Sequence, residues 1–252
     1  MTPVRRVRGV RRTVGSVAAL ALLCAAAATA ASAHGGGSGP GHAAAPHTPA
    51  VDSADAGFAR DMAVHHQQAV EMSFLVRDRT RDEEVRRLAY DIANTQANQR
   101  GMLLGWLDLW ELPKTAAGQE PMGWMPAGHE GHSAAGPDTT AGMAGMTPTA
   151  ESGGTAGAGA GYRPHDGSLM PGMATRTELA RLRDASGRAA EVLYLQLMTD
   201  HHKGGVDMAR GCAELCAVPV ERRLARGMVQ AQQSELDAMA GMLAARGAAP
   251  RP

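Results

Sequence analysis

An all-α four-helix bundle is the fold this sequence predicts, and three observations predict it. Residues 53–112 and 175–247 repeat each other at one fixed offset. Each copy carries apolar residues at helical spacing, and each is broken once by a turn. A hairpin alone would leave its apolar stripe in water, so the two copies are expected to pack together.

Composition narrows the function. The chain has 252 residues, of which only 3% are aromatic, against a β-sandwich or a large aromatic-lined pocket. Basic and acidic residues balance at 25 each, but Arg5, Arg6, Arg8, Arg11 and Arg12 fall in the first 33 residues, where there is no acid. A chain cut there is acidic, which argues against nucleic acid as a partner. Fifteen Met and ten His suggest soft-metal chemistry instead.

The five Arg precede an apolar run from Val17 to about Ala31 that ends in Ala31-Ser32-Ala33, a small-x-small cleavage pattern. Residues 1–33 read as a secretory signal peptide, too short in its apolar part to be a stable membrane span. The mature chain is then secreted or extracytoplasmic, where thiols oxidise. Residues 34–52 and 113–174 are rich in Gly, Ala and Pro and short of branched apolar residues, so both are expected to be disordered.

Within the first copy, Phe58, Met62, Ala69, Met72 and Val76 keep helical spacing from Asp52 to Arg79. A charged break at Arg79–Glu83 precedes a second run through Val85, Leu88, Ile92, Leu103 and Leu107, which Pro113 stops. In the second copy, Thr175 with Glu178 signals a capped lead-in helix. Val192 to Cys216 reads as one helix, and Pro219 opens the next. At an offset of 136 residues, Met62 meets Met198, His65-His66 meets His201-His202 and Met72 meets Met208.

The His pairs fall inside the apolar stripes. At about 100° per residue, His65, His66, Met72 and Asp55 all lie within about 80° of Met62. Met198, His201, His202, Met208 and Glu191 repeat this layout, with Cys212 and Cys216 on the same face. On the second and fourth helices, Gln96, Gln99, Gln232 and Glu235 share faces with apolar residues, which is costly unless they are paired. Counting from each turn puts His65 level with Gln96, and His201 level with Gln232.

This layer is the candidate site. His65, His66, His201 and His202 are the candidate imidazole ligands, with adjacent His diverging so that one binds and its neighbour supports. Met62, Met72, Met198 and Met208 are candidate thioether ligands favouring copper over harder ions, and zinc is the next metal in line. Glu235 and Glu191 are candidate carboxylates. Linker residues Met122, Met125, Met143, Met146, Met170 and Met173, with His129, His132 and His165, offer a second scavenging tract or plain compositional drift. Cys212 and Cys216 stand four apart, as a soft-metal pair, a disulfide or buried thiols. No Glu-x-x-His occurs, against di-iron oxidase chemistry, and no nucleophile motif points to an enzyme. The competing reading is a structural or partner-binding bundle whose His and Gln form only a hydrogen-bond network.

The segments Met62-Ala-Val-His65-His66-Gln-Gln-Ala-Val-Glu-Met72 and Met198-Thr-Asp-His201-His202-Lys-Gly-Gly-Val-Asp-Met208 resemble the domain of unknown function 305 family. So do Met170-Pro-Gly-Met173 and Gln232-Gln-Ser-Glu235 followed by Met239. The resemblance implies a ferritin-like four-helix bundle, export and metal binding, with copper handling in some members and no established reaction. A metal-delivery protein is the partner such a role implies. This chain has Gln99 where a Glu would match Glu235, so the second copy holds the stronger carboxylate supply.

Overall fold

A computed structural model describes residues 48–126 and 162–252. The signal segment, most of residues 34–52, and linker residues Met143, Met146, His129 and His132 lie outside the described residues. Four long helices and one short one make up the fold: α1 (Ala54–Arg79), α2 (Glu83–Leu109), α3 (Arg176–Asp184), α4 (Gly187–Leu215) and α5 (Pro219–Ala245). The all-α, four-helix architecture is as the repeat predicts.

The helix ends follow local chemistry. The Ser53 hydroxyl accepts the Ala56 N–H to open α1, and Asp82 accepts the Val85 N–H to open α2. Thr175 and Glu178 form the expected capping box on α3, and Pro219 takes the first turn of α5, where its missing N–H costs nothing. α4 begins at Gly187, five residues before the apolar pattern starts at Val192. Ala189 and Ala190 are strong helix formers that carry no periodic signal, and Arg188 ties this turn to the Arg246 carbonyl.

α1 packs along α2, α4 along α5, and the two hairpins meet chiefly through α1 and α4. The apolar core forms two clusters. One holds Met72, Val76, Ile92, Leu195 and Met198. The other holds Phe58, Met62, Leu103, Met208 and Cys212. α1 runs from the second cluster to the first and α4 runs the opposite way, so the two helices are antiparallel.

The carboxylates at the starts of α1 and α4 fasten the loops of the opposite hairpin. Asp55 accepts the Ala217 and Val218 N–H groups at 3.1 and 2.7 Å. Its repeat partner Glu191 accepts the Thr80 hydroxyl at 2.5 Å and the Arg246 guanidinium at 2.8 Å. Glu191 thus serves as a structural ion-pair partner at this end of the bundle.

The described ends of the linker are also part of the fold, against expectation. Met125 and Met170 are buried, and Met122 and Met173 pack against the same cluster, so these four thioethers fill core space. His165 is exposed, against the Arg163 carbonyl. The tethers are polar residues of α1. Arg60 donates to the Pro113 and Val51 carbonyls, and Asp61 accepts from the Met122 backbone and the Trp124 indole. Gln68 pairs with both the N–H and the C=O of Ala174. At Gly204 a Cβ would sit 2.1 Å from the Pro171 carbonyl oxygen, so only glycine lets the Met170–Met173 turn lie on α4. Gly204→Ala is expected to cost about 1–3 kcal/mol in urea unfolding and to open the linker near residue 171 to limited proteolysis. Gly227→Ala, with open space around it, serves as the control.

Candidate metal centre

Between the two apolar clusters lies a polar layer. His65 and His66 come from the middle of α1, and His201 and His202 from the middle of α4; all four are fully buried. Gln96 and Gln232, from α2 and α5, are almost as deep. The His65 and His201 rings lie face to face across the hairpin interface, centroids 3.7 Å apart and 31° from parallel. His201 also donates through Nε2 to the His65 carbonyl, 3.0 Å away.

The outer pair of imidazoles reaches the flanking helices. His66 Nε2 lies 2.9 Å from Gln99 Oε1, and His202 Nε2 lies 2.6 Å from Glu235 Oε2. The level predicted from the turns is right, but the bonds join His66 to Gln99 and His202 to Glu235, one turn beyond Gln96 and Gln232. The same span of 33 residues in both copies comes from the duplicated hairpin.

These partners set the tautomers. A backbone carbonyl and an amide oxygen only accept, so Nε2 carries the proton in His201 and His66, while His202 Nε2 faces the Glu235 carboxylate. Their Nδ1 lone pairs then stay available, and each of these Nδ1 atoms is buried without a hydrogen bond. His65 has the Pro171 backbone as its polar neighbour, and neither side-chain polar atom of Gln96 or Gln232 is hydrogen-bonded. Gly205 gives Gln232 its place, since a Cβ there would meet its Oε1 at 2.5 Å.

The Met residues bracket this layer. Met62 and Met208 lie in the cluster on one side, Met72 and Met198 in the cluster on the other, all buried. The imidazoles do not form a closed cage: no three of their nitrogens, with or without Glu235, come within 4.8 Å of one another.

The family model described as domain of unknown function (DUF305) matches residues 55–243. The chain belongs to the DUF305 family. A DUF305 crystal structure from Streptomyces coelicolor, described as a candidate secreted protein, is 54% identical and has a TM-score of 0.62. The match covers 81% of this chain and 99% of that one. A DUF305 fragment from Deinococcus radiodurans is 25% identical over 75% of this chain and 94% of its own, with a TM-score of 0.51. CopM in its Cu(II)-bound form is 18% identical over 74% of this chain and 92% of its own; its TM-score of 0.48 is too low to bear on the site. No curated protein matches the chain.

Burial controls the charge of this DUF305 layer. Loss of hydration holds His65 and His201 well below the usual histidine range, and the neighbouring imidazoles push them the same way. Burial brings His66 down to about 3, partly offset by its bond to Gln99. His65, His66 and His201 are therefore neutral, the state in which imidazole ligates a metal.

An unfolded chain regains ordinary histidines near pH 6.5 and binds more protons than the folded one below that value. Stability from these rings is complete above about pH 6.5 and is lost as pH falls toward 3. For His66 the gap between 6.5 and about 3 is on the order of 5 kcal/mol. Urea unfolding of the metal-free protein is expected to weaken between pH 7 and pH 4. His66→Gln keeps an N–H donor for Gln99 but does not titrate, so its stability should fall less over the same interval. An equal fall in both proteins would show that His66 is not buried neutral.

Proposed function

We propose that this protein is an exported metal-binding protein that sequesters or delivers copper through the buried His and Met layer. The observation that carries this reading is the set of three buried Nδ1 lone pairs on His66, His201 and His202, each left open because Nε2 is held by an acceptor. Glu235 and Gln99 orient rings that bind through the opposite nitrogen, as outer partners of metal sites do. Met62, Met72, Met198 and Met208 supply the thioethers that favour Cu(I), with zinc the weaker candidate for this donor set. The open spacing of the nitrogens implies that the ion draws the rings together on binding. Residues 1–33 read as the signal that takes the chain out of the cytoplasm, in keeping with the Streptomyces relative's description. The ion's donor or acceptor is then another exported protein.

The hydrogen-bond network is the second reading, and the three bonds from Nε2 favour it. It leaves the Nδ1 atoms and both glutamines unexplained, since each buried polar group without a partner costs about 1–3 kcal/mol.

The test is Cu(I) titration against a chromophoric chelator, using the mature chain with its disulfide intact. Wild type should bind with submicromolar affinity. The double variant His201→Gln, His202→Gln should lose more than about a hundredfold, beyond the range that changes to outer-shell partners produce, with far-ultraviolet dichroism unchanged. Equal binding by a folded double variant would overturn the site, and failure of wild type to bind copper or zinc would leave the network reading.

A further inference from the structure

The two ends of the bundle have diverged. Carried across by 136 residues, Val76, Thr80 and Val85 at one end become Cys212, Cys216 and Glu221 at the other. The first end is conventional: Val76 and Val85 are core, and Thr80 and Arg246 satisfy Glu191. At the second end, Cys212 at the close of α4 is disulfide-bonded to Cys216 in the loop. Glu221, in the first turn of α5, is fully buried beside them, and its one hydrogen-bond partner is another acid, Asp55. The position matching Arg246 is Trp110, so no cation stands where Glu191 has one. Both oxygens of neighbouring Asp55 are already taken by loop N–H groups. Burial, with the charge of Asp55 second, pushes the Glu221 carboxyl up to about 9.

A buried acid whose partner is a second acid is expensive, and an apolar core has no use for it. Its position gives it a use. Among the described residues, Cys212, Cys216 and Glu221 alone bring three His, Cys, Asp or Glu donor atoms within 4.8 Å of one another. Two sulfurs and one carboxylate are a donor set for a thiolate-seeking d10 ion.

We propose that Cys212, Cys216 and Glu221 form a second, redox-gated metal site, closed as the disulfide and opened by a dithiol reductant to take up Zn(II) or Cu(I). The reductant supplies two electrons that cleave the S–S bond. Two protons are taken up as the sulfurs become thiols, and the dithiol becomes a disulfide. Metal binding then releases both thiol protons and the Glu221 proton to water, leaving two thiolates and a carboxylate as ligands. The route in is the loop at 216–219, where Ala217 and Pro219 are exposed above the buried sulfurs. The site stands on α4 and α5 residues outside the His layer, so it does not depend on the reading of that layer.

The experiment uses the mature chain, oxidised or reduced with a dithiol and freed of reductant under anaerobic conditions, with Co(II) as the probe. The reduced protein should gain thiolate-to-Co(II) charge-transfer absorption that the oxidised protein lacks. Zn(II) should displace the band at one equivalent, and competition with a Cu(I) chelator ranks the two ions. Glu221→Gln should weaken Co(II) binding by more than about tenfold. Cys212→Ser with Cys216→Ser should abolish the band, and His201→Gln with His202→Gln should leave it intact. The proposal is overturned by a reduced wild type that shows no band, by equal affinity in Glu221→Gln, or by loss of helicity on reduction. Loss of the band in the His variant would overturn the separateness of the two sites.

Discussion

Four imidazoles buried at the crossing of α1 and α4 are the constraint on which the molecule turns. An apolar layer there would give an ordinary, simply packed bundle. The histidines instead divide the core into two clusters and bring His65 and His201 face to face. Charged rings at that depth and separation would repel one another and lack hydration, so the fold requires them neutral. Each of the three rings whose Nε2 is held then contributes an acceptor lone pair to the interior. The bundle therefore stores basic nitrogen where water does not reach, and its pH response and proposed chemistry both follow.

Duplication supplies the frame and divergence supplies the chemistry. The common elements hold the helices: the loop-binding carboxylates Asp55 and Glu191, and the His bonds across 33 residues on each side. Some of the differences fall where chemistry can be set. Gln99 faces His66 where Glu235 faces His202, so one imidazole has a neutral partner and the other a carboxylate, which makes the His202 nitrogen more basic toward a metal. The end with Val76 and Val85 is sealed, while the end with Cys212, Cys216 and Glu221 is polar and oxidisable.

Much of this was legible in the residues, and what was hidden has a physical reason. The fixed offset and the helical wheel located the hairpins and put His65, His66, His201 and His202 inward, because burial leaves a periodic trace. The loop contacts of Asp55 and Glu191 were not legible, since an inward carboxylate near a helix start looks the same whether it meets a metal or a backbone N–H. Arg60, Asp61 and Gln68 look like solvated helix positions, yet they hold the linker ends to α1. Met125 and Met170 lie in Gly- and Pro-rich sequence and become core only because those tethers bring them there. The closeness of that packing shows at Gly57, where a Cβ would strike the Trp124 indole at 2.4 Å.

The balance of donors and acceptors in the His layer bears on its two readings. A self-sufficient network needs a proton for each open lone pair. Nδ1 of His66, His201 and His202 each present one, and the N–H groups in the layer able to meet them are those of His65 and of the amides of Gln96 and Gln232. The Nε2 protons are already committed to Gln99, Glu235 and the His65 carbonyl. A water molecule brings both donors and acceptors and satisfies the glutamines as readily as the rings. A cation answers lone pairs alone, and the protons withheld from these nitrogens by burial leave them free for it. The buried Nδ1 atoms, flanked by thioethers on both sides, are a donor set of the kind a soft metal ion takes.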